Sequence, residues 1–345
     1  MNFMVDIDIK KPAVTLGYRD KILLAGSCFT EHIGNSLQEL KFSVLQNPNG
    51  ILFDPISVCK SLVSYTDNKK YEANELFRLN EIWNSWQHHS RFSHIDPDCC
   101  LEGINASQQR GHTFLQQADW IIITLGSAFH YRLSSEGIAG SVTPGPATTL
   151  EAETGSVANC HRAPAQWFTK QLLEINTIIT ALDNCYHRLL QFNPKLKILF
   201  TVSPVRHLRD GVIENNRSKA RLIEAVHHMV NKFDRIYYFP AYELVIDVLR
   251  DYRYYDIDLV HPNYMATEFV LEKFTQNFID EEAQQLMPEV KRIVIARKHR
   301  AFQPGTAAHR QFLINHFQKA KLLQEKHPYL DLKEELLYFS ETQSL

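Results

Sequence analysis

The 345-residue chain has little net charge, −2 at neutral pH, and no long basic run. Surfaces that bind nucleic acids are built from clustered lysine and arginine, so this balance gives no sign of a nucleic-acid partner. No stretch approaches the apolar length of a membrane-spanning helix, and Asp6 and Asp8 interrupt the short apolar start. These absences predict a protein without a nucleic-acid or membrane partner.

The six cysteines form no CxxC pair and no regular framework. A chain of this length buries enough apolar surface to fold without disulfides, so reduced thiols in a cytoplasmic protein are the simplest expectation. Hydrophobic residues make up 44% of the chain and charged residues 22%, which is typical of a well-packed globular core.

Short apolar runs alternate with helical stretches along most of the chain. The runs predicted as buried parallel strands are residues 22–25, 43–46, 120–124, 197–202 and 235–239. Phe29, Ile33, Leu37 and Leu40 fall on one helical face, and further helices are predicted over residues 166–192, 217–233 and 263–279. This alternation predicts a doubly wound α/β fold, with a parallel sheet and helices on both faces.

Two segments break the alternation, and a third follows it. Residues 66–118 and 130–165 contain hairpin-like pieces, which we interpret as insertions over one edge of the sheet. A charged helical extension is predicted over residues 281–345, either as a cap or as an oligomer contact. The sequence therefore predicts an α/β unit over residues 1–280 and a helical C-terminal extension.

Small nucleophilic side chains occupy the turn between the first predicted strand and its helix. Ser27 and Cys28 follow Gly26 there, at the sheet edge where open parallel sheets bind ligands. The helix directs its free N–H groups and positive dipole end at the same place, and the N–H of the nucleophile residue would stabilise an oxyanion. The alternative is that Ser27 only caps the helix.

An Asp-x-x-His sequence follows the last predicted strand. A serine hydroxyl needs a base to take its proton, and the base needs an orienting carboxylate. Asp258 and His261 have the spacing for such a pair within one loop, and Pro262 stiffens the segment. Their position predicts that they return to the edge of the sheet where Ser27 lies.

The string Gly26-Ser27-Cys28-Phe29, followed by Thr30, is similar to the GSCFA family, a branch that resembles the SGNH/GDSL esterases. Further family-like segments occur in the same order over roughly residues 20–275: NPNGILFDP, TLGSAFHYR, NCH, VSPVRH and FPAYELVIDVLRDYRYYDIDLVHP. The resemblance implies a flavodoxin-like sheet of the SGNH-hydrolase type. It also implies a catalytic triad of Ser27, Asp258 and His261, and it favours Ser27 over Cys28 as the nucleophile.

The resemblance further implies where an oxyanion would be held. SGNH enzymes use the serine N–H, a glycine N–H after the second strand and an asparagine amide after the third. Gly50 matches the second donor, and Gly126 keeps the glycine of the third motif, but Ala128 stands where the amide is expected. We therefore expect Asn159, beside His161 in the second insertion, to supply the missing amide.

The segment WNSWQHHSRFSH concentrates aromatic and histidine side chains. It predicts a wall of the substrate site with His89 facing inward, or else a hairpin whose tryptophans cover the sheet. A metal site on His88, His89, His94, Asp96 and Asp98 is the third interpretation. Adjacent residues of a strand point to opposite faces, which makes chelation by His88 and His89 difficult. We expect no metal and no other cofactor.

Together these features predict a serine-dependent ester hydrolase or O-acyltransferase. The expected substrate is a small acyl ester, with an O-acetylated carbohydrate as the leading candidate. The sequence does not decide between water and a sugar hydroxyl as acceptor. The alternative is a non-catalytic carbohydrate- or ligand-binding module on the same fold, which the missing asparagine after the third strand favours.

Overall fold

A computed structural model of the chain describes residues 5–141 and 156–341. The strands, numbered in chain order, are β1 (Lys21–Gly26), β2 (Ser43–Gln46), β3 (Phe77–Leu79), β4 (Ile82–Asn84), β5 (Trp120–Leu125), β6 (Phe129–Leu133), β7 (Ser156–Val157), β8 (Phe168–Leu172), β9 (Lys197–Val202) and β10 (Ile236–Tyr238).

The α-helices are α1 (Cys28–Glu39), α2 (Pro55–Thr66), α3 (Pro97–Gln117), α4 (Ser135–Ser141), α5 (Ile175–Phe192), α6 (Gly211–Lys232), α7 (Tyr264–Phe278), α8 (Glu281–Lys298), α9 (Ala307–Lys326) and α10 (Lys333–Glu341). A helical turn, Ala241–Glu243, continues into a π-helix, Leu244–Leu249. Short 3₁₀ turns lie at Ala73–Glu75, Ser90–Phe92, Ala165–Trp167, Leu208–Asp210 and Tyr252–Tyr254.

A five-stranded parallel sheet with the order β2-β1-β5-β9-β10 forms the centre of the fold. All residues of β5 are buried, because helices cover both faces. The chain moves outward from β1 to β2 on one side and to β5 on the other. The topological switch point, where doubly wound sheets bind ligands, therefore lies between the ends of β1 and β5.

Alternate residues of the sheet face two separate cores. Leu24 packs with Phe29 and Ile33 of α1 on one face, whereas Leu23 packs with Val58 and Leu62 of α2 on the other. The parallel α/β sheet with helices on both faces is therefore confirmed, and each predicted strand of the sheet is present within one or two residues of its expected bounds.

The C-terminal helices α8, α9 and α10 pack on the α1 face and share its core. A buried ion pair fastens the last of them, since the Glu335 carboxylate lies 2.7 Å from the ammonium of Lys41, which precedes β2. The predicted helical extension is confirmed. Its division from the α/β unit after residue 280 stays a prediction, as does an oligomer contact through it.

Two local predictions in the insertions are wrong. Phe168–Leu172 was expected in one long helix over 166–192, but it forms β8 and pairs with Phe129–Leu133, so the helix starts at Ile175. Residues after His130 were expected to form a hairpin, but α4 follows β6 directly. Pairing with a distant strand overrides local propensity over Phe168–Leu172, and β6 takes its partners from β7 and β8 rather than from the residues that follow it.

The remaining parts of the two insertions contact each other. β3 and β4 form the predicted hairpin, whereas α3 is a helix that leads into the sheet. The loop after β4 and the segment after β7 are tied by a hydrogen bond from the N–H of Ala158 to the Trp86 carbonyl. Within the described residues, no helix has the length and apolar character needed to cross a bilayer.

Candidate active site

Ser27 lies at the switch point, in a turn that only glycine can precede. Gly26 has φ of +137°, and a Cβ there would come 2.1 Å from the carbonyl oxygen of Thr124. This close approach of β1 and β5 buries the Ser27 side chain, which is 1% exposed. Its hydroxyl makes no hydrogen bond within the described part of the chain.

The Ser27 hydroxyl does not cap the helix it precedes. Ser27 occupies the N-cap position of α1 with an extended backbone, yet its side chain accepts no N–H of the first turn. The N-cap residue of α2 behaves differently, since the Asp54 carboxylate accepts the N–H groups of Ile56 and Ser57 at 3.1 Å each. Capping therefore does not account for the serine at this turn.

Cys28 is the neighbouring nucleophile and is half-buried beneath the turn. Burial raises the pKa of its thiol, and the N–H groups of Phe29 and Cys28 only partly oppose that rise. A thiol that stays protonated at neutral pH is a weak nucleophile. The side chain packs against the core on the α1 face, as expected for a small residue under the turn.

Asp258 and His261 form a hydrogen-bonded pair in the loop before α7. The Nδ1 of His261 lies 2.7 Å from Oδ2 of Asp258, and the other carboxylate oxygen accepts the N–H groups of Val260 (2.9 Å) and His261 (3.0 Å). The hydrogen bond from His261 and those from the two backbone N–H groups lower the pKa of Asp258 to about 2. The carboxylate therefore stays charged and fixes the imidazole with its proton on Nδ1.

The loop of His261 contacts the elements that surround Ser27. The N–H of Arg206, after β9, donates to the Val260 carbonyl at 3.4 Å. The His261 ring is close enough to His32 of α1 and to His207 to lower the pKa of both, although burial is the larger cause in each case. The hydrogen bond between His261 and the Ser27 hydroxyl is not formed in this structure.

The two backbone groups expected to hold an oxyanion are already used. The N–H of Ser27 donates to the Thr124 carbonyl (3.0 Å), and the N–H of Gly50 donates to the Asn47 carbonyl (2.7 Å). Both N–H groups are therefore bonded within the protein in this conformation, and their role toward an oxyanion stays a prediction. The close pairing of β1 with β5 and the tight turn after β2 are the physical reasons.

Gly50 and His89 are in direct contact beside the Ser27 turn. Gly50 has φ of +84°, and a Cβ there would lie 2.1 Å from the His89 Cβ. The N–H of His89 donates to the Asn49 carbonyl at 2.9 Å, and the N–H of Leu52 donates to the Gly26 carbonyl at 2.9 Å. The first insertion is thus packed onto the loop that borders the nucleophile turn.

Asn159 and His161 form a tight turn in the second insertion. The Asn159 side-chain oxygen accepts the His161 N–H at 2.9 Å, and Nε2 of His161 donates to the Ser85 carbonyl at 2.8 Å. Burial lowers the pKa of His161 to about 4, so the ring is neutral. The contacts of Asn159 make it a turn residue, and its role toward an oxyanion stays a prediction.

The histidines considered for a metal are used in local hydrogen bonds. One ring nitrogen of His88 bonds the Ser85 hydroxyl, that of His89 accepts the Arg91 N–H, and that of His94 accepts the Asp96 N–H. Over residues 5–141 and 156–341, no group of three or more histidine, cysteine, aspartate or glutamate side chains is arranged to hold a metal ion.

Sequence reasoning missed several polar residues around the turn. The Asn47 side-chain oxygen accepts the Gly26 N–H (2.9 Å), while its amide nitrogen is buried with no partner among the described residues. The carboxylate of Asp54 and Nδ1 of His130 form a second, buried Asp–His pair at 2.9 Å. Lys219 donates to the Gly126 carbonyl. The sequence feature that could have revealed Lys219 is its position among the apolar residues on one face of α6.

The fold and the site define a doubly wound α/β protein with Ser27 at its switch point and a hydrogen-bonded Asp–His pair in a loop that contacts the segment after β9. Residues 21–274 match the GSCFA family, and residues 290–343 match the GSCFA domain protein, C-terminal domain. The chain therefore belongs to the GSCFA family, which confirms the resemblance of the Gly26–Thr30 string. No match was found among the curated proteins.

Proposed function

We propose that the protein is an SGNH-type serine hydrolase or O-acyltransferase that acts on small acyl esters. One observation carries the proposal, namely that the Ser27 hydroxyl is buried at the switch point without a hydrogen bond, even to its own helix. A buried polar group left without a partner costs about 1–3 kcal/mol. Other buried hydroxyls, such as those of Thr30 and Ser57, also have no partner among the described residues, but only the Ser27 hydroxyl combines this with a place at the switch point, and a reaction partner explains it.

In the proposed reaction Ser27 attacks the ester carbonyl and His261 takes its proton. Asp258 accepts the Nδ1 proton of His261, so in the neutral ring Nε2 is the nitrogen that takes the serine proton, as a general base requires. His261 then returns the proton to the leaving alkoxide. Water or a sugar hydroxyl attacks the acyl-enzyme in the second half, which gives an esterase or a transferase. For the substrate we propose an O-acetylated carbohydrate, and for the location the cytoplasm, which suits six free thiols.

The second candidate is a ligand-binding module without catalysis. The observation that favours it is the engagement of the Ser27 and Gly50 N–H groups by carbonyl oxygens. A site without preorganised donors stabilises an oxyanion poorly, since each such donor contributes ~10²–10³ in kcat. Catalysis at Ser27 therefore requires donors other than these two, such as the Asn159 amide.

A fluorophosphonate probe separates the two candidates. We expect the probe to label the folded protein at Ser27, with no labelling of Ser27→Ala or of heat-unfolded protein. Turnover of p-nitrophenyl acetate should fall by ~10³-fold or more in Ser27→Ala. Cys28→Ser is the matched control and should keep most activity. Loss of labelling in Cys28→Ser with retention in Ser27→Ala would assign the nucleophile to the thiol, and no labelling at all would favour the binding module.

A further inference from the structure

Lys219 is a buried lysine directly behind the Ser27 turn. Its side chain is 1% exposed, and its ammonium donates to the carbonyl oxygens of Gly126 (2.6 Å) and Ser203 (2.7 Å). Gly126 follows β5 and Ser203 follows β9. The ammonium therefore lies at the ends of β5 and β9, on one side of Ser27. The Lys219 side chain reaches this position from α6.

The charge of Lys219 has no acidic partner among the described residues, whose ion pairs leave it out. Burying an uncompensated ammonium is costly, and two carbonyl dipoles offset the cost only in part. Burial accordingly lowers the pKa of Lys219 to about 7. Linking the two strands does not explain a buried lysine, because backbone pairing between β5 and β9 already links them.

The residue that Lys219 binds lies next to the Ser27 side chain. A Cβ built on Gly126 would come 3.1 Å from the Ser27 Cβ, so there is room only for a glycine between the serine and the carbonyl that Lys219 holds. The Lys219 charge also lowers the pKa of the Cys28 thiol, opposing burial. The positive charge thus lies near the position where the carbonyl oxygen of an ester would become negatively charged when Ser27 attacks it.

We propose that Lys219 is a positioning residue that holds the Gly126 carbonyl and places a positive charge behind Ser27, so that negative charge formed at the turn is stabilised. This inference rests on the proposed function. The ammonium binds the carbonyl oxygen of Gly126, the residue next to the Ser27 side chain. Its charge would compensate in part for the missing amide after β5, because a charge in a water-poor site acts over a longer distance than a neutral donor.

Lys219→Met removes the charge with little change in side-chain length, and α6 supplies the matched control. Arg221 also donates to two backbone carbonyls, those of Leu172 (3.0 Å) and Leu173 (2.6 Å), but these lie at the end of β8. Arg221→Met therefore removes one cation, two similar hydrogen bonds and an ion pair with Glu174 (3.2 Å) without touching the Ser27 turn. Lys219→Gln, whose shorter amide can still donate to carbonyls, replaces Lys219→Met if that variant does not fold.

For Lys219→Met we expect kcat for p-nitrophenyl acetate to fall by roughly 10- to 100-fold with KM changed less than about twofold, because the charge acts on the transition state. Alkylation of Cys28 by iodoacetamide below neutral pH, where Lys219 is mostly charged, followed by mass spectrometry of the Cys28 peptide, should slow by at least about threefold because the thiol becomes less acidic. Arg221→Met should match the wild type in both measurements.

Wild-type kcat and wild-type alkylation in folded Lys219→Met would overturn the proposal, as would equal losses in Arg221→Met. Alkylation reports the charge at the turn without any ester chemistry. If the wild type is never labelled by fluorophosphonate, the proposed function fails, and slower Cys28 alkylation in Lys219→Met still supports the charge behind the turn. An unchanged alkylation rate would overturn that charge even in an active enzyme.

Discussion

Asp258→Asn tests the proposed base most directly, because the structure fixes how the asparagine would sit. Asp258 Oδ1 accepts the N–H groups of Val260 and His261, and Oδ2 accepts the Nδ1 proton of His261. In the variant the amide oxygen keeps the two backbone donors. The amide NH₂ then faces Nδ1, which has to become an acceptor, so the imidazole proton moves to Nε2.

An imidazole protonated on Nε2 cannot take the proton of Ser27. The loss for this change of tautomer in a serine triad is ~10⁴ in kcat, which corresponds to about 5 kcal/mol in the activation free energy. The fold should be unaffected, because the asparagine keeps the backbone hydrogen bonds and both side chains are about half exposed, with 45% for Asp258 and 44% for His261.

The measurement is the initial rate of p-nitrophenyl acetate hydrolysis under saturating substrate, together with the rate of fluorophosphonate labelling. Asp251→Asn is the control, since Asp251 also accepts a backbone N–H two residues onward, that of Arg253 at 2.8 Å. The control should stay within about twofold of the wild type. An Asp258→Asn protein within tenfold of the wild type would refute the assignment of His261 as the base and direct attention to the buried pair of Asp54 and His130.

Three further predictions concern the loops around the site. Asn159→Asp keeps the oxygen that accepts the His161 N–H and should lower kcat by ~10²-fold or more with little change in KM, because it removes the proposed amide donor; wild-type kcat would reduce Asn159 to a turn residue. Gly50→Ala should lower the free energy of unfolding in urea by about 2–4 kcal/mol, because its Cβ meets His89 and φ is positive, whereas Gly305→Ala, in open space, should be neutral. Burial lowers the pKa of His88 from 6.5 to about 3, so the unfolded chain binds a proton before the folded chain does as pH falls below 6.5. The free energy of unfolding lost between pH 7 and pH 5 should therefore be smaller in His88→Gln than in the wild type, by about 2 kcal/mol. Equal losses in the two proteins would contradict the neutral buried ring.

The elements of the sheet and two parts of the candidate site can be predicted from local sequence alone. Buried strands such as β5 are apolar on both faces, and α1 shows its buried stripe at helical spacing, so both can be read without any contact between distant residues. The Ser27 turn is local for the same reason. So is the pair of Asp258 and His261, because two residues between them suffice to bring the carboxylate to the ring.

Contacts between distant segments determine which polar groups around Ser27 form hydrogen bonds and which do not. Residues 168–172 became a strand because a partner 39 residues earlier pairs with them, as the register of Phe129 with Leu172 and of Leu133 with Phe168 shows. The N–H of Ser27 is occupied because β5, nearly a hundred residues later, supplies the Thr124 carbonyl. Lys219 reaches Gly126 across a similar separation. Local propensity cannot encode such contacts, since each depends on the packing of segments that are neighbours only after the sheet has formed.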